Sequence, residues 1–229
     1  MACFRQLFTP LAILEVMKLG VFDSGIGGEA VAASLRDYFP NAEIIVVNDK
    51  ANVPYGDKTS LEIINLTDAA IQPLLMAPCK VIIIACNTAT ALAIDTLRSR
   101  YPNQLFIGIE PMLKPAALLT KSGVIGVCAT PATVTSTRYK QLRSTYANAL
   151  EIIEPDCRTW ARMIEDNTLN HLEITQTINE LCEKGADVIV LGCTHYHWIK
   201  KLISDIAEGR AVILEPSEAI GRRVAGLLD

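Results

Sequence analysis

The stretch "VIIIACNTATAL", residues 81–92, decides the fold. Its first four residues are β-branched and apolar without alternation, as a strand covered on both faces requires; Asn and Thr then suit a turn into a helix. A second stretch, "VIVLGCTHYHWI" at residues 188–199, repeats the order of apolar run, Cys, polar cluster and helix. Working outward, strand-length apolar runs recur at 19–22, 43–47, 80–85, 105–109, 123–128, 150–154, 187–192 and 211–214. Segments of helical spacing lie between them, including single helical stretches from Thr59 and from Pro131. Alternating strand and helix predicts an α/β chain with mostly parallel sheets.

The residues after each strand repeat as well. The first half gives "DSG", "ND", "CNT" and "EP"; the second gives "AT", "EP", "CTH" and "EP". Four units echo four, which predicts two similar α/β domains facing each other. Residues 18–110 with 210–229 are assigned to the first domain, 111–209 to the second, and 1–17 to an N-terminal extension. Ligands of open parallel sheets bind at the carboxyl ends of the strands, so the active site is expected in the cleft between the domains.

The chain has 229 residues, half of them hydrophobic and only 6% aromatic, and a net charge of −4. The adjacent basic pairs are Lys200-Lys201 and Arg222-Arg223, which excludes a phosphate-tracking surface and predicts no nucleic-acid partner. The early apolar stretch is interrupted by Pro10 and Glu15 and resembles neither a signal nor a membrane span. Seven Cys without a C-x-x-C pair predict neither a disulfide framework nor a zinc knuckle and fit a reducing cytoplasm.

Cys86 and Cys193 each precede residues suited to a helix N-terminus, where unpaired N–H groups and the helix dipole favour a thiolate and a substrate carboxylate alike. Two thiols flanking one cleft suit removal of a proton from one face of a carbon acid and its return to the other. A redox pair and a metal site of Cys193, His195 and His197 are alternatives. In "DSGIGGEA", residues 23–30, Gly25, Gly27 and Ala30 match G-x-G-x-x-A and Asp49 lies 24 residues beyond Gly25, which also permits a nicotinamide-dependent oxidoreductase. The Asp23 carboxylate would repel a pyrophosphate and instead suits orienting a thiol, with Ser24 beside it. A non-catalytic dicarboxylate-binding protein is the remaining class.

With "FDSGIGG", "VPYG", "ACNTAT", "ATPATV" and "GCTHY" in that order, the sequence resembles the cofactor-independent glutamate racemases of the aspartate/glutamate racemase superfamily, from about Lys18 to the C-terminus. The resemblance implies two α/β domains related by pseudo-twofold symmetry and inversion of glutamate by two bases without cofactor or metal, supplying D-glutamate for peptidoglycan, in a cytoplasmic homodimer. It makes Cys86 and Cys193 the proton donor and acceptor, Asp23 and His195 their helpers, and Glu165, eight residues after Cys157, a further catalytic group. Asp23, Ser24, Tyr55, Gly56, Asn87, Thr88, Thr194 and His195 match positions that bind the substrate, a small acidic amino acid. Aspartate, or a broader range of amino acids, is the alternative within the superfamily. The chain departs from the family's pattern at His197, where proline is usual, and in "LEPSEAI", where Asp-Ser is usual.

Overall fold

The computed structural model describes residues 16–228, so the expected N-terminal extension lies almost wholly outside the described residues. The chain runs β1 (Lys18–Asp23), α1 (Gly28–Tyr38), β2 (Glu43–Asn48), α2 (Ser60–Ala70), α3 (Gln72–Met76), β3 (Val81–Ile84), α4 (Asn87–Arg100) and β4 (Leu105–Gly108). It continues with α5 (Leu113–Leu119), β5 (Val124–Ala129), α6 (Pro131–Thr135), α7 (Thr137–Tyr146), β6 (Glu151–Ile153), α8 (Trp160–Glu165), α9 (His171–Glu183), β7 (Val188–Gly192), α10 (Lys200–Ala207), β8 (Val212–Leu214) and α11 (Ser217–Leu228). All eight apolar runs form strands. They build two four-stranded sheets, β2-β1-β3-β4 and β6-β5-β7-β8, in which every pairing is parallel. The same strand order occurs twice, as the repeated strand-end residues imply.

Each sheet is covered on both faces, which is why its strands read as unbroken apolar runs. In the first sheet Phe22, Ile82 and Ile84 face Ile63, Ala89 and Ala93, while Leu19, Val21, Val81 and Ile83 face Val31, Leu35, Ile220 and Val224. In the second, Cys128, Ile189 and Leu191 pack on Trp160, Ile178 and Ile203, and Ile125, Val127 and Val190 on Leu113, Ala116 and Tyr139. Among the described residues no helix is long and apolar enough to cross a membrane.

Three sequence expectations need correction. The helical stretch from Thr59 divides at Ile71, and that from Pro131 divides at Ser136, whose extended backbone lets its hydroxyl accept from Tyr139 N–H and donate to the Thr133 carbonyl. The domain boundary also moves: β8 pairs with β7 and completes the second sheet, although residues 210–229 were assigned to the first domain. Only the helix that follows, α11, crosses to pack on α1. Finally, Cys193 is followed not directly by an α-helix but by a tight 3-10 segment, Thr194–Ile199, with α10 beginning after it.

Candidate active site

The carboxyl ends of β1 and β3 meet those of β5 and β7 across the interdomain cleft. Asp23, at the end of β1, is fully buried; its carboxylate accepts from Gly25 N–H at 2.8 Å and from the Thr194 hydroxyl of the other domain, also at 2.8 Å. Ser24 turns back toward β3, where its hydroxyl lies 3.2 Å from Cys86 Sγ. Cys86 caps α4 in extended backbone geometry, with its sulfur 3.5 Å from Ala89 N–H. The thiol therefore contacts Ser24, and Asp23 influences it only through charge.

In the second domain Cys193 Sγ lies 3.7 Å from His195 Nδ1, and His195 Nε2 lies 2.6 Å from Glu165 Oε1 on α8. The same oxygen accepts from Ile26 N–H of the first domain at 2.8 Å. A linear relay, Cys193–His195–Glu165, thus ends on the backbone of the opposite domain. Ser24, Tyr55, Gly56, Cys86, Asn87, Thr88, Cys193 and His195 line one cavity between the domains, with Pro54, Thr130 and Ala161 completing the wall. Asp23, Thr194 and Glu165 stand immediately behind that lining. The free space enclosed is about 10 Å³, about enough for one water molecule and far too little for an amino acid.

The glycine-rich turn explains itself through this close approach. A Cβ on Gly25 would meet Glu165 and His195, and one on Gly27 would come within 2.7 Å of the Thr194 carbonyl carbon. The space that a dinucleotide pyrophosphate would need is filled by side chains of the second domain, and Asp49 is engaged by the Tyr55 hydroxyl at 2.7 Å. The oxidoreductase reading fails on these contacts. The metal reading fails as well, because His197 faces Glu215, at 3.4 Å, instead of joining Cys193 and His195.

The thiols correct another expectation. Burial pushes Cys86 up to about 11, and the charge of Asp23 adds to this, against the opposing hydrogen bonds of Ser24 and Ala89. Cys193 is also raised well above the usual thiol range, first by burial and then by Cys86. Helix-end N–H groups favour a thiolate, but removal from water outweighs them when the sulfur is buried in its own domain's core cluster. Asp23 is itself raised by burial, despite His195, Gly25 N–H and the Thr194 hydroxyl.

Residues 29–218 match the family model described as Asp/Glu/hydantoin racemase. The chain belongs to that family. Together with its relatives this makes it an amino-acid racemase, an isomerase. Over 214 residues it is 38% identical to the glutamate racemase of Herpetosiphon aurantiacus, covering 92% of this chain and 84% of that protein. Among solved structures, Escherichia coli glutamate racemase in complex with L-glutamate and the activator UDP-MurNAc-Ala superposes with a TM-score of 0.80 at 27% identity, over 93% of this chain and 82% of that one. The Francisella tularensis glutamate racemase in complex with D-glutamate gives 0.79 at 30% identity, over 93% and 81%.

Every candidate site residue of this racemase read from the sequence lies in or directly behind the one cavity. Three lining residues were missed. Thr130 lies in the quoted motif "ATPATV", and its hydroxyl is 2.9 Å from that of Thr88 across the domain boundary; the motif was the available signal. Pro54 precedes Tyr55 in the quoted "VPYG". Ala161 lies on α8 with no local signal at all.

Proposed function

We propose that the chain interconverts L- and D-glutamate by two-base proton transfer at Cα, with Cys86 and Cys193 as the bases. The observation that carries this is the placement of two thiols, one from each domain, on one narrow cavity. One sulfur, as thiolate, takes the Cα proton; the other, as thiol, delivers a proton to the opposite face, and the centre inverts with no net change in atoms or charge. Reversal of the two roles carries the reverse reaction.

The surroundings fit an amino acid. Among the described residues no Lys or Arg lines the cavity, so carboxylates would be held by N–H groups at the start of α4 and by the hydroxyls of Ser24, Thr88 and Thr130. Asn87 donates its Nδ2 to the Ile109 carbonyl at 3.3 Å, while its buried Oδ1 lacks a hydrogen-bond partner among the described residues and can accept from a substrate ammonium. That ammonium favours ionisation of a neighbouring thiol, and a thiolate of raised pKa is a stronger base toward a weakly acidic C–H. Asp23 and the His195–Glu165 pair then act as helpers that hold or relay protons at each sulfur.

Glutamate is preferred over aspartate because the relatives are glutamate racemases over most of their length. The product would supply D-glutamate to peptidoglycan, and the enzyme would work in the cytoplasm as a homodimer, which sedimentation equilibrium tests. The mechanism is tested with Cys86→Ser and Cys193→Ser. Each single variant should lose racemisation by a factor of a thousand or more, roughly 4 kcal/mol in barrier. If both variants racemise at the normal rate, the two-thiol assignment is wrong.

A further inference from the structure

His197 and Glu215 play no part in the proton transfer just described, yet they meet where the two domains are tied together. In the 3-10 segment after Cys193, positions i and i+2 point to different sides. His195 accordingly turns to Glu165, and His197 turns away to place Nδ1 3.4 Å from Glu215 Oε2, an ion-pair distance just short of a formed hydrogen bond. Glu215 follows β8 and precedes α11, the helix that leaves the second domain and packs on α1 of the first. Its side chain is fully buried. Oε1 accepts from Ser217 N–H at 3.0 Å and from the Ser217 hydroxyl, whereas among the described residues neither Oε2 nor His197 Nδ1 has a hydrogen-bond partner.

A buried carboxylate oxygen without a donor is costly, and an imidazole N–H beside it is the group placed to offset this. Burial alone would raise the Glu215 carboxyl; His197 and Ser217 bring it net below its ordinary value. We infer that His197 is a positioning residue: by pairing with Glu215 it fastens the Cys193 segment to the interdomain crossover and keeps Cys193 in register with Cys86. The kinetic part of this inference rests on the racemase reading; the pairing itself does not.

The pairing is tested by NMR of the ring nitrogens of the three histidines in the full-length protein. Glu215→Gln should move the His197 ring-nitrogen resonances and leave those of His171 in place. Unmoved His197 resonances would overturn the pairing. Kinetics with glutamate test the positioning. His197→Ala should lower kcat about tenfold with little change in KM, since small misplacement of a reacting group acts on the chemical step. His197→Asn, whose amide nitrogen can take the place of Nδ1, should recover most of that loss. A His197→Ala variant of undiminished kcat, or an Asn variant as impaired as the Ala one, overturns the positioning role. If the unsubstituted protein itself does not racemise glutamate, the failure lies with the racemase reading, and the ring-nitrogen spectrum still decides the pairing.

Discussion

Cys86 should make the fold progressively less stable as the solution becomes alkaline. Its thiol is raised from 9.0 to about 11 by burial first and by Asp23 second. Between those two values the folded chain keeps a proton that the unfolded chain has lost, so stability falls as pH rises through the window. Below pH 9 both states are protonated and the contribution vanishes. One pKa unit corresponds to about 1.36 kcal/mol, so a shift of this size amounts to roughly 2 to 3 kcal/mol by pH 11. Cys86→Ser removes the titrating group while keeping a small side chain able to bond to Ser24. Urea unfolding of both proteins at pH 8, 9, 10 and 11 provides the assay, because the difference between them cancels the Lys and Tyr titrations they share. Cys193, which the Cys86 charge helps to raise, contributes in the same direction. The wild type should lose about 2 to 3 kcal/mol relative to the variant across that range. Parallel pH curves would refute the claim that the narrow cavity holds Cys86 as a neutral thiol.

Gly27→Ala should cost about 1 to 3 kcal/mol of stability, read by thermal unfolding, because its methyl must displace Thr194 and its carbonyl carbon in the other domain. Glu165→Gln should reduce kcat about a hundredfold by altering the proton held on His195 Nε2, 2.6 Å away; steady-state kinetics at fixed pH would check it. Thr59→Ala removes the capping box made with Glu62 at the start of α2 and should cost about 1 kcal/mol in urea unfolding. Its kcat should stay at the wild-type value.

The architecture was legible because the two sheets are buried on both faces: "VIII" and "VIVLG" can satisfy their apolar side chains only in that setting. The site was legible because parallel strands deliver their C-terminal residues to one edge, and Cys, Asn, Thr and His are costly there without a use. What escaped was non-local. Whether β8 pairs with β7 or joins the first sheet depends on a crossover that "AVIL" does not encode. The break at Ser136 depends on its hydroxyl serving both neighbouring helices. The sign of the Cys86 shift was misjudged because the helix-end N–H groups are local and visible, whereas the burial is made with residues remote in sequence, such as Phe22, Tyr55 and Ile63. Gly25 and Gly27 matched a dinucleotide pattern for the same reason: the side chains that need their missing Cβ atoms, Glu165, Thr194 and His195, are remote in sequence.

The central claim is proton exchange at Cα between two thiols. Incubating the purified protein with L-glutamate in deuterium oxide, without added cofactor, and following enantiomer and isotope by chiral chromatography and mass spectrometry tests it most directly. The account predicts D-glutamate carrying one deuterium at Cα, formed by the wild type and by neither Cys86→Ser nor Cys193→Ser. D-glutamate that retains the original Cα hydrogen, or wild-type protein that leaves L-glutamate unchanged, would contradict it.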